Sequence, residues 1–168
     1  PMMFSPLKAD TSRKGQVITE SVVVDREDCY EVISTMKKDS SGTAIDQAEL
    51  LVSGGRGIKS EADFRTLSDL AALLGGQVAA SRPPVDMGWL PHNQQIGQSG
   101  TAVKPDHIIN VGISGSVQYE VGMQNSGCII SINHNPDAPI FSISNYGVVG
   151  DYRSVIPAII AEIKKRSK

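Results

Sequence analysis

The feature that most constrains the fold is one theme repeated three times along the chain: a short apolar run, a turn rich in glycine or asparagine, and a segment able to start a helix. "AELLVSGGRGIKSEADFRTLSDLAALLGG" (48–76) is the clearest copy, followed by "HIINVGISGSVQYEVGMQNSG" (107–127) and "CIISINHNPDAPIFSISNYG" (128–147). In the first copy Leu67, Leu70, Ala71 and Leu74 fall on one helical face, and Gly75 and Gly76 supply a stop. Ser60 stands three residues before Asp63 as a capping pair. Short strands alternating with helices bury their apolar faces as a doubly wound, mainly parallel α/β sheet with helices on both faces. Such sheets take ligands beyond the carboxyl ends of their strands, so the three turns are expected to converge on one crevice.

Around this repeat, residues 1–15 carry no period and read as an irregular arm, and residues 16–168 read as one domain. "QVITESVVVD" (16–25) is rich in β-branched residues and is expected as a strand. "DREDCYEVISTMKKD" (25–39), with Cys29, Val32, Ile33 and Met36 at helical spacing, is expected as a helix. A strand through Ala80 leads into a long loop punctuated by Pro83, Pro84, Pro91, Gly97 and Gly100, and loops of that length are usually functional. The chain closes with a helix in "DYRSVIPAIIAEIKKRSK", with Pro157 in or near its first turn and Ile159, Ile160 and Ile163 inward.

Sixteen basic against 18 acidic residues leave a net charge of -2, which provides no electrostatic footprint for nucleic acid or an anionic membrane. No apolar run reaches the roughly 20 residues of a membrane span, so no membrane insertion is expected. Cys29 and Cys128 are far apart and suit a reducing compartment, which makes the cytoplasm the expected address. The start on Pro1 fits a processed product or a fragment of something longer.

The turn "LLVSGGRGIKS" (50–60) has the order of a phosphate loop without its count, because Ile58 separates Gly57 from Lys59. The dinucleotide fingerprint G-x-G-x-x-G fails too, since the glycines are Gly54, Gly55 and Gly57. What remains is a glycine turn that lets a ligand approach the backbone at a helix N-terminus, with Arg56 as a positive charge. "GISGS" (112–116) is one residue from a nucleophile elbow, but no acid-then-histidine order can be completed after Ser114, so no catalytic residue is assigned. Ser114 is read as a hydroxyl and backbone donor to a ligand. His92, His107 and His134 lie in separate segments without carboxylate or cysteine partners, and no metal site is expected. The long loop offers Ser81, Arg82, Asn93, Gln94, Gln95, Gln98 and Ser99, a set suited to a polar ring edge or a sugar. Trp89 is read as a packing anchor.

Taken together, "LVSGGRGIKS", "AASRPPVDMGWLPHNQQIGQSG", "VGISGSVQYEVGM" and "INHNPDAPIF...NYGVVGD" resemble the FAD-binding domain of the electron transfer flavoprotein alpha subunit, the family that includes the FixB proteins. The resemblance covers nearly the whole chain and implies the C-terminal half of a longer subunit that pairs with a beta subunit. The implied function is to hold FAD and carry electrons from a dehydrogenase to a downstream acceptor, with no substrate chemistry of its own. By matching positions, Arg82, after Ser81, resembles the arginine over the flavin N5 edge, and Ser99, before Gly100, keeps a hydroxyl for the flavin where the family usually has threonine. Gln95 and Gln98 match ring and ribityl contacts, and Ser114, Gly115 and Gln118 match the turn at the pyrophosphate and ring edge. Asn133 and Asp151 match adenosine-end contacts, and Arg56 matches an arginine lining the same crevice. Tyr119 stands where the family commonly has a histidine that donates to the flavin O2. A phenol there can donate without carrying charge, so the flavin potential is expected to differ from that of a Tyr119→His variant. The alternative reading is a non-redox nucleotide-binding or subunit-interface module that has lost flavin.

Overall fold

The computed structural model describes residues 10–22, 33–34 and 44–166. The chain divides into two compact units, Pro1–Ser40 and Ser41–Lys168. In the first, Asp10 closes a turn by accepting from the backbone N–H and the hydroxyl of Ser12, at 3.1 and 2.6 Å. The strand expected over residues 16–25 does not form in its described part, residues 16–22, where Val17, Ile18 and Val22 are exposed. A strand exists through hydrogen bonds to a neighbour, and among the described residues none pairs with this segment. Residues 23–25 and most of the helix expected over residues 25–39 lie outside the described residues; Ile33 and Ser34 are not helical.

The second unit is built on five parallel strands, β1 (Leu50–Gly54), β2 (Gln77–Ala80), β3 (His107–Val111), β4 (Cys128–Asn133) and β5 (Tyr146–Val149), in the order β2-β1-β3-β4-β5. The chain runs outward from β1 to β2, returns across β1 to β3, and then runs the other way, so β1 and β3 flank the point where the winding reverses. Alternate residues of each strand face opposite sides, which produces two cores. On one side Val52, Ile109, Val111 and Ile132 pack against α1 (Glu61–Leu73) and α4 (Tyr152–Arg166). On the other, Leu51, Ile108 and Ile129 pack against Tyr119 of α3 (Val117–Glu120), Met123 and Ile140. The doubly wound parallel architecture read from the repeat is the one observed.

α1 forms where its pattern requires. The Ser60 hydroxyl accepts from the Asp63 N–H at 3.1 Å, and Phe64, Leu67, Leu70 and Ala71 make its buried stripe. Each large apolar side chain fully buried there contributes roughly 1.5–3 kcal/mol. The helix stops in a Schellman turn: Gly75 has φ +71°, its N–H donates to Ala72 at 3.2 Å, and the Gly76 N–H reaches back to Ala71 at 2.8 Å.

Three details differ from the sequence expectation. The long loop after β2 contains a short helix, α2 (Arg82–Asp86), with Pro83 and Pro84 in its first turn, and a 3-10 turn at His92–Gln94. The third copy of the repeat forms a 3-10 helix, Pro139–Ile143, followed by the short exposed edge strand β5. Pro157 lies inside α4 beyond the first turn, which leaves the Arg153 carbonyl without a bond from that position; Ile159, Ile160 and Ile163 pack inward as expected, with Ile156 the fully buried anchor beside them.

Candidate functional site

The site begins where the winding reverses. The Gly55 N–H donates to Val111 at 2.9 Å and the Gly57 N–H to Gly112 at 2.8 Å, so the turns after β1 and β3 are joined backbone to backbone. Contact this close requires glycine: a Cβ on Gly57 would lie 2.7 Å from both Cα and O of Gly112, and Gly112 itself has φ +63°.

A cavity of about 1090 Å³ opens over these turns, at the upper end of the range for small-molecule and cofactor sites. Its walls come from the segments after β1 (Arg56, Gly57, Lys59), β2 (Ser81, Arg82), β3 (Ser114, Ser116, Gln118) and β4 (Asn133, His134, Asn135), with Gln95, Gln98 and Ser99 from the long loop. Arg56, Lys59 and Arg82 bring positive charge, and among the described residues no aspartate or glutamate lines it, although the chain as a whole carries a charge of -2. Such a site attracts an anion, and the amides and hydroxyls beside the cations supply neutral donors and acceptors.

Of the residues singled out from sequence, Arg56, Ser81, Arg82, Gln95, Gln98, Ser99, Ser114, Gln118, Tyr119 and Asn133 line this cavity. Gly100 and Gly115 do not. Gly100 closes the turn beneath Gln95, donating from its N–H to Gly97 at 3.0 Å. Gly115, at φ +85°, lies against the Ile140 backbone, whose N–H donates to the Ser114 carbonyl at 3.0 Å. Asp151 lines an adjoining cavity of about 260 Å³ together with Lys59, Asn133, His134, Tyr152 and Arg153. Its carboxylate accepts from the Arg153 N–H at 2.9 Å and caps α4. Lys59, Ser116, His134 and Asn135 were not among the sequence candidates; their signal was position alone, each beside a turn at the carboxyl end of a strand.

Several of these side chains are already engaged. The Gln95 amide, buried, donates to the Ser99 hydroxyl at 3.0 Å. Asn133 donates to the Ile113 carbonyl at 2.9 Å and accepts from the Asn135 N–H at 3.0 Å, bracing the β3 and β4 turns together. Arg82 pairs with Asp86 through Nε at 3.2 Å on the surface. Trp89 packs on Phe64, with ring centroids 6.0 Å apart, and does not line the cavity.

Tyr119 departs most from the sequence expectation. Its ring is buried and its hydroxyl lies 2.7 Å from the Asn110 side-chain oxygen and 2.9 Å from the Ser53 hydroxyl, neither of which lines the cavity. Burial pushes the phenol pKa above its ordinary value, and Ser53 offsets this in part. The hydroxyl therefore faces the sheet interior, where a buried phenol must find partners.

A second cluster ties α1 to α4. Tyr152 donates to Asp63 Oδ2 at 2.8 Å and accepts from the Lys59 N–H at 3.2 Å, while Arg153 reaches the same carboxylate oxygen at 2.9 and 3.3 Å. The Tyr152 hydroxyl, and after it Arg153, hold the Asp63 carboxyl below its ordinary range. The cluster fixes the segment that carries Lys59 into both cavities. Among the described residues, no group of three or more histidine, cysteine, aspartate or glutamate side chains is arranged to hold a metal ion, and no helix is long and apolar enough to cross a membrane.

The cofactor implied by the resemblance, FAD, suits this donor set: its pyrophosphate matches Arg56 and Lys59, and its ring edge matches amides and hydroxyls. The family model described as "Electron transfer flavoprotein FAD-binding domain" matches residues 44–124, a range that includes β1 through α3. The chain is 45% identical over 157 residues to the electron transfer flavoprotein subunit alpha of Thermoanaerobacterium thermosaccharolyticum, covering 93% of this chain and 48% of that protein. It is 43% identical over 165 residues to protein FixB of Clostridium saccharobutylicum, covering 98% and 49%. It is also 44% identical over 134 residues to the lactate dehydrogenase (NAD(+),ferredoxin) subunit LctC of Acetobacterium woodii, covering 80% and 32%. The chain thus spans about half the length of the curated flavoprotein relatives it matches. With the glycine turns, the cationic cavity and these matches agreeing over the same residues, the chain belongs to the electron transfer flavoprotein alpha subunit family and carries its FAD-binding domain.

Proposed function

We propose that this domain holds FAD in the cavity at the β1/β3 turns and serves, with a beta subunit, as an electron carrier between a dehydrogenase and a downstream acceptor. The observation that carries this reading is the cavity wall, which brings Arg56, Lys59 and Arg82 together with neutral donors and, among the described residues, includes no carboxylate. Bound FAD supplies the redox chemistry, and the protein supplies binding, orientation and the local field. In this reading Arg56 and Lys59 face the pyrophosphate, and Ser114 and Gln118 orient the cofactor from the β3 turn. Arg82, Gln95, Gln98 and Ser99 address the ring and ribityl, and Asn133 and Asp151 the adenosine end. No side chain here is asked to transfer a proton to a substrate, so the domain has no substrate chemistry of its own. The cytoplasm is the address that goes with this function.

The test is a titration of FAD into the full-length protein, alone and with its partner subunit, followed by flavin fluorescence. Saturable binding at one FAD per chain, with reversible reduction by an external donor, is expected. Absence of FAD binding even with the partner subunit present would overturn the reading and leave a subunit-interface module that has lost flavin.

A further inference from the structure

Ser53, Asn110 and Ser131 are register partners on three adjacent strands, and their side chains form a buried polar row across the sheet. The row is one continuous chain of hydrogen bonds, and its direction can be deduced. The Asn110 oxygen can only accept, so Tyr119 donates to it at 2.7 Å, and the Ser53 hydroxyl must then donate to Tyr119 at 2.9 Å. The Ile140 carbonyl can only accept, so Ser144 donates to it at 2.8 Å, and Ser131 must donate to Ser144 at 2.7 Å. The Asn110 amide closes the gap by donating to Ser131 at 3.4 Å. Ile140 is the residue whose N–H holds the Ser114 carbonyl, so the chain runs from the β1 strand to the brace of the cavity's β3 turn.

We propose that Asn110 is a positioning residue for the cofactor cavity, holding the Tyr119 hydroxyl inside the sheet so that the cavity is presented with the tyrosine but not its donor. The proposal rests on the FAD reading. A buried phenol loses more by forgoing its partners than a surface one, and Asn110 with Ser53 satisfies both its donor and its acceptor role within the sheet. The flavin then meets a wall without a proton donor from Tyr119, and the residue acts on the cofactor only through ring packing.

Asn110→Leu tests this. It is nearly isosteric and puts a methyl group where the amide oxygen sits, 2.7 Å from the phenol oxygen, inside the roughly 3.5 Å of a carbon contact. The phenol is displaced toward the cavity it already lines. Midpoint potential and flavin absorption are measured on the full-length protein loaded with FAD, in wild type, Tyr119→Phe, Asn110→Leu and the double variant. Asn110→Leu is expected to shift both, Tyr119→Phe to shift both less than Asn110→Leu does, and the double variant to match Tyr119→Phe. A shift in Tyr119→Phe as large as in Asn110→Leu, or one of that size in the double variant, would overturn the proposal. The same proteins without FAD give a separate readout: ultraviolet titration, with Tyr119 isolated by difference against Tyr119→Phe, should show its ionisation falling toward the ordinary range in Asn110→Leu. Unchanged ionisation would overturn the proposal even if FAD does not bind, whereas loss of FAD binding in wild type counts only against the functional reading. If the leucine variant does not fold, Asn110→Ala, which removes the acceptor without overlap, should bring the phenol's ionisation to lower pH in the same way, and no change there would overturn the proposal.

Discussion

The backbone N–H of Gly57 donates to the carbonyl of Gly112 across 2.8 Å, locking the turn after β1 to the turn after β3 at the point where the sheet's winding reverses. Both turns line the cavity, so their separation sets its floor. Gly57→Ala would place a methyl group 2.7 Å from Gly112 Cα and O, neither of which can give way without moving the β3 turn. Overpacking of this kind costs about 1–3 kcal/mol. Denaturant unfolding should show that loss, and FAD titration a weaker affinity.

Arg56 and Arg82 reach the cavity from two different turns. Each charge-assisted contact to an anionic cofactor contributes about 1.5–3 kcal/mol, so Arg56→Ala and Arg82→Ala should each weaken FAD binding by roughly tenfold or more. Cys29→Ser should change neither affinity nor potential. Fluorescence titration distinguishes these outcomes, and an effect of Cys29→Ser equal to that of the arginines would discredit the site.

Tyr119 remains neutral in the folded protein above the pH at which a free phenol ionises, because burial raises its pKa above 10.0. The unfolded chain then releases a proton that the folded one retains, so stability is full below about pH 10 and falls as pH rises beyond it, at about 1.4 kcal/mol per unit. Denaturant curves at stepped alkaline pH should show this slope in wild type, and a shallower slope in Tyr119→Phe.

Asp63 works in the opposite window. Its carboxyl is held below the ordinary 3.8 by Tyr152 and Arg153, so the stabilisation is present above about pH 4 and is lost as pH falls through the lowered value. Thermal unfolding of wild type should decline more steeply below about pH 4 than that of Asp63→Asn. Tyr152→Phe should reproduce part of the difference, since it removes the largest contributor.

Ile156 is the fully buried contact of α4. Ile156→Ala should cost about 2–5 kcal/mol, the range for a large aliphatic cut to alanine in a packed core. Ile159→Ala, at a half-buried position, should cost clearly less in the same urea titration.

What could be read without a structure followed from local rules. The apolar stripe of Leu67, Leu70 and Ala71, the Ser60 cap and the paired glycines at 75 and 76 are specified by neighbours a few residues away, and α1 forms as they require. The three turns had to lie at strand ends, so most of the residues singled out from the sequence line the cavity, although Lys59, Ser116, His134 and Asn135 join it by position alone. β5 was not, because four exposed residues including Gly147 carry no periodic signal and acquire their role only by pairing with β4. The segment over residues 16–22 failed in the reverse sense: its β-branched composition favours a strand, but the pairing that makes one is absent among the described residues.

From β1 onward, spacing along the chain is enough to specify the alternation of strands and helices, the glycine turns and the family. The direction of Tyr119 is set in three dimensions. Its place beside "GISGS" fits a cofactor ligand, yet Ser53 and Asn110, 66 and 9 residues away along the chain, converge on its hydroxyl inside the sheet. A side chain's direction follows from where its hydrogen-bond partners are in space, and strand order across the sheet placed them there.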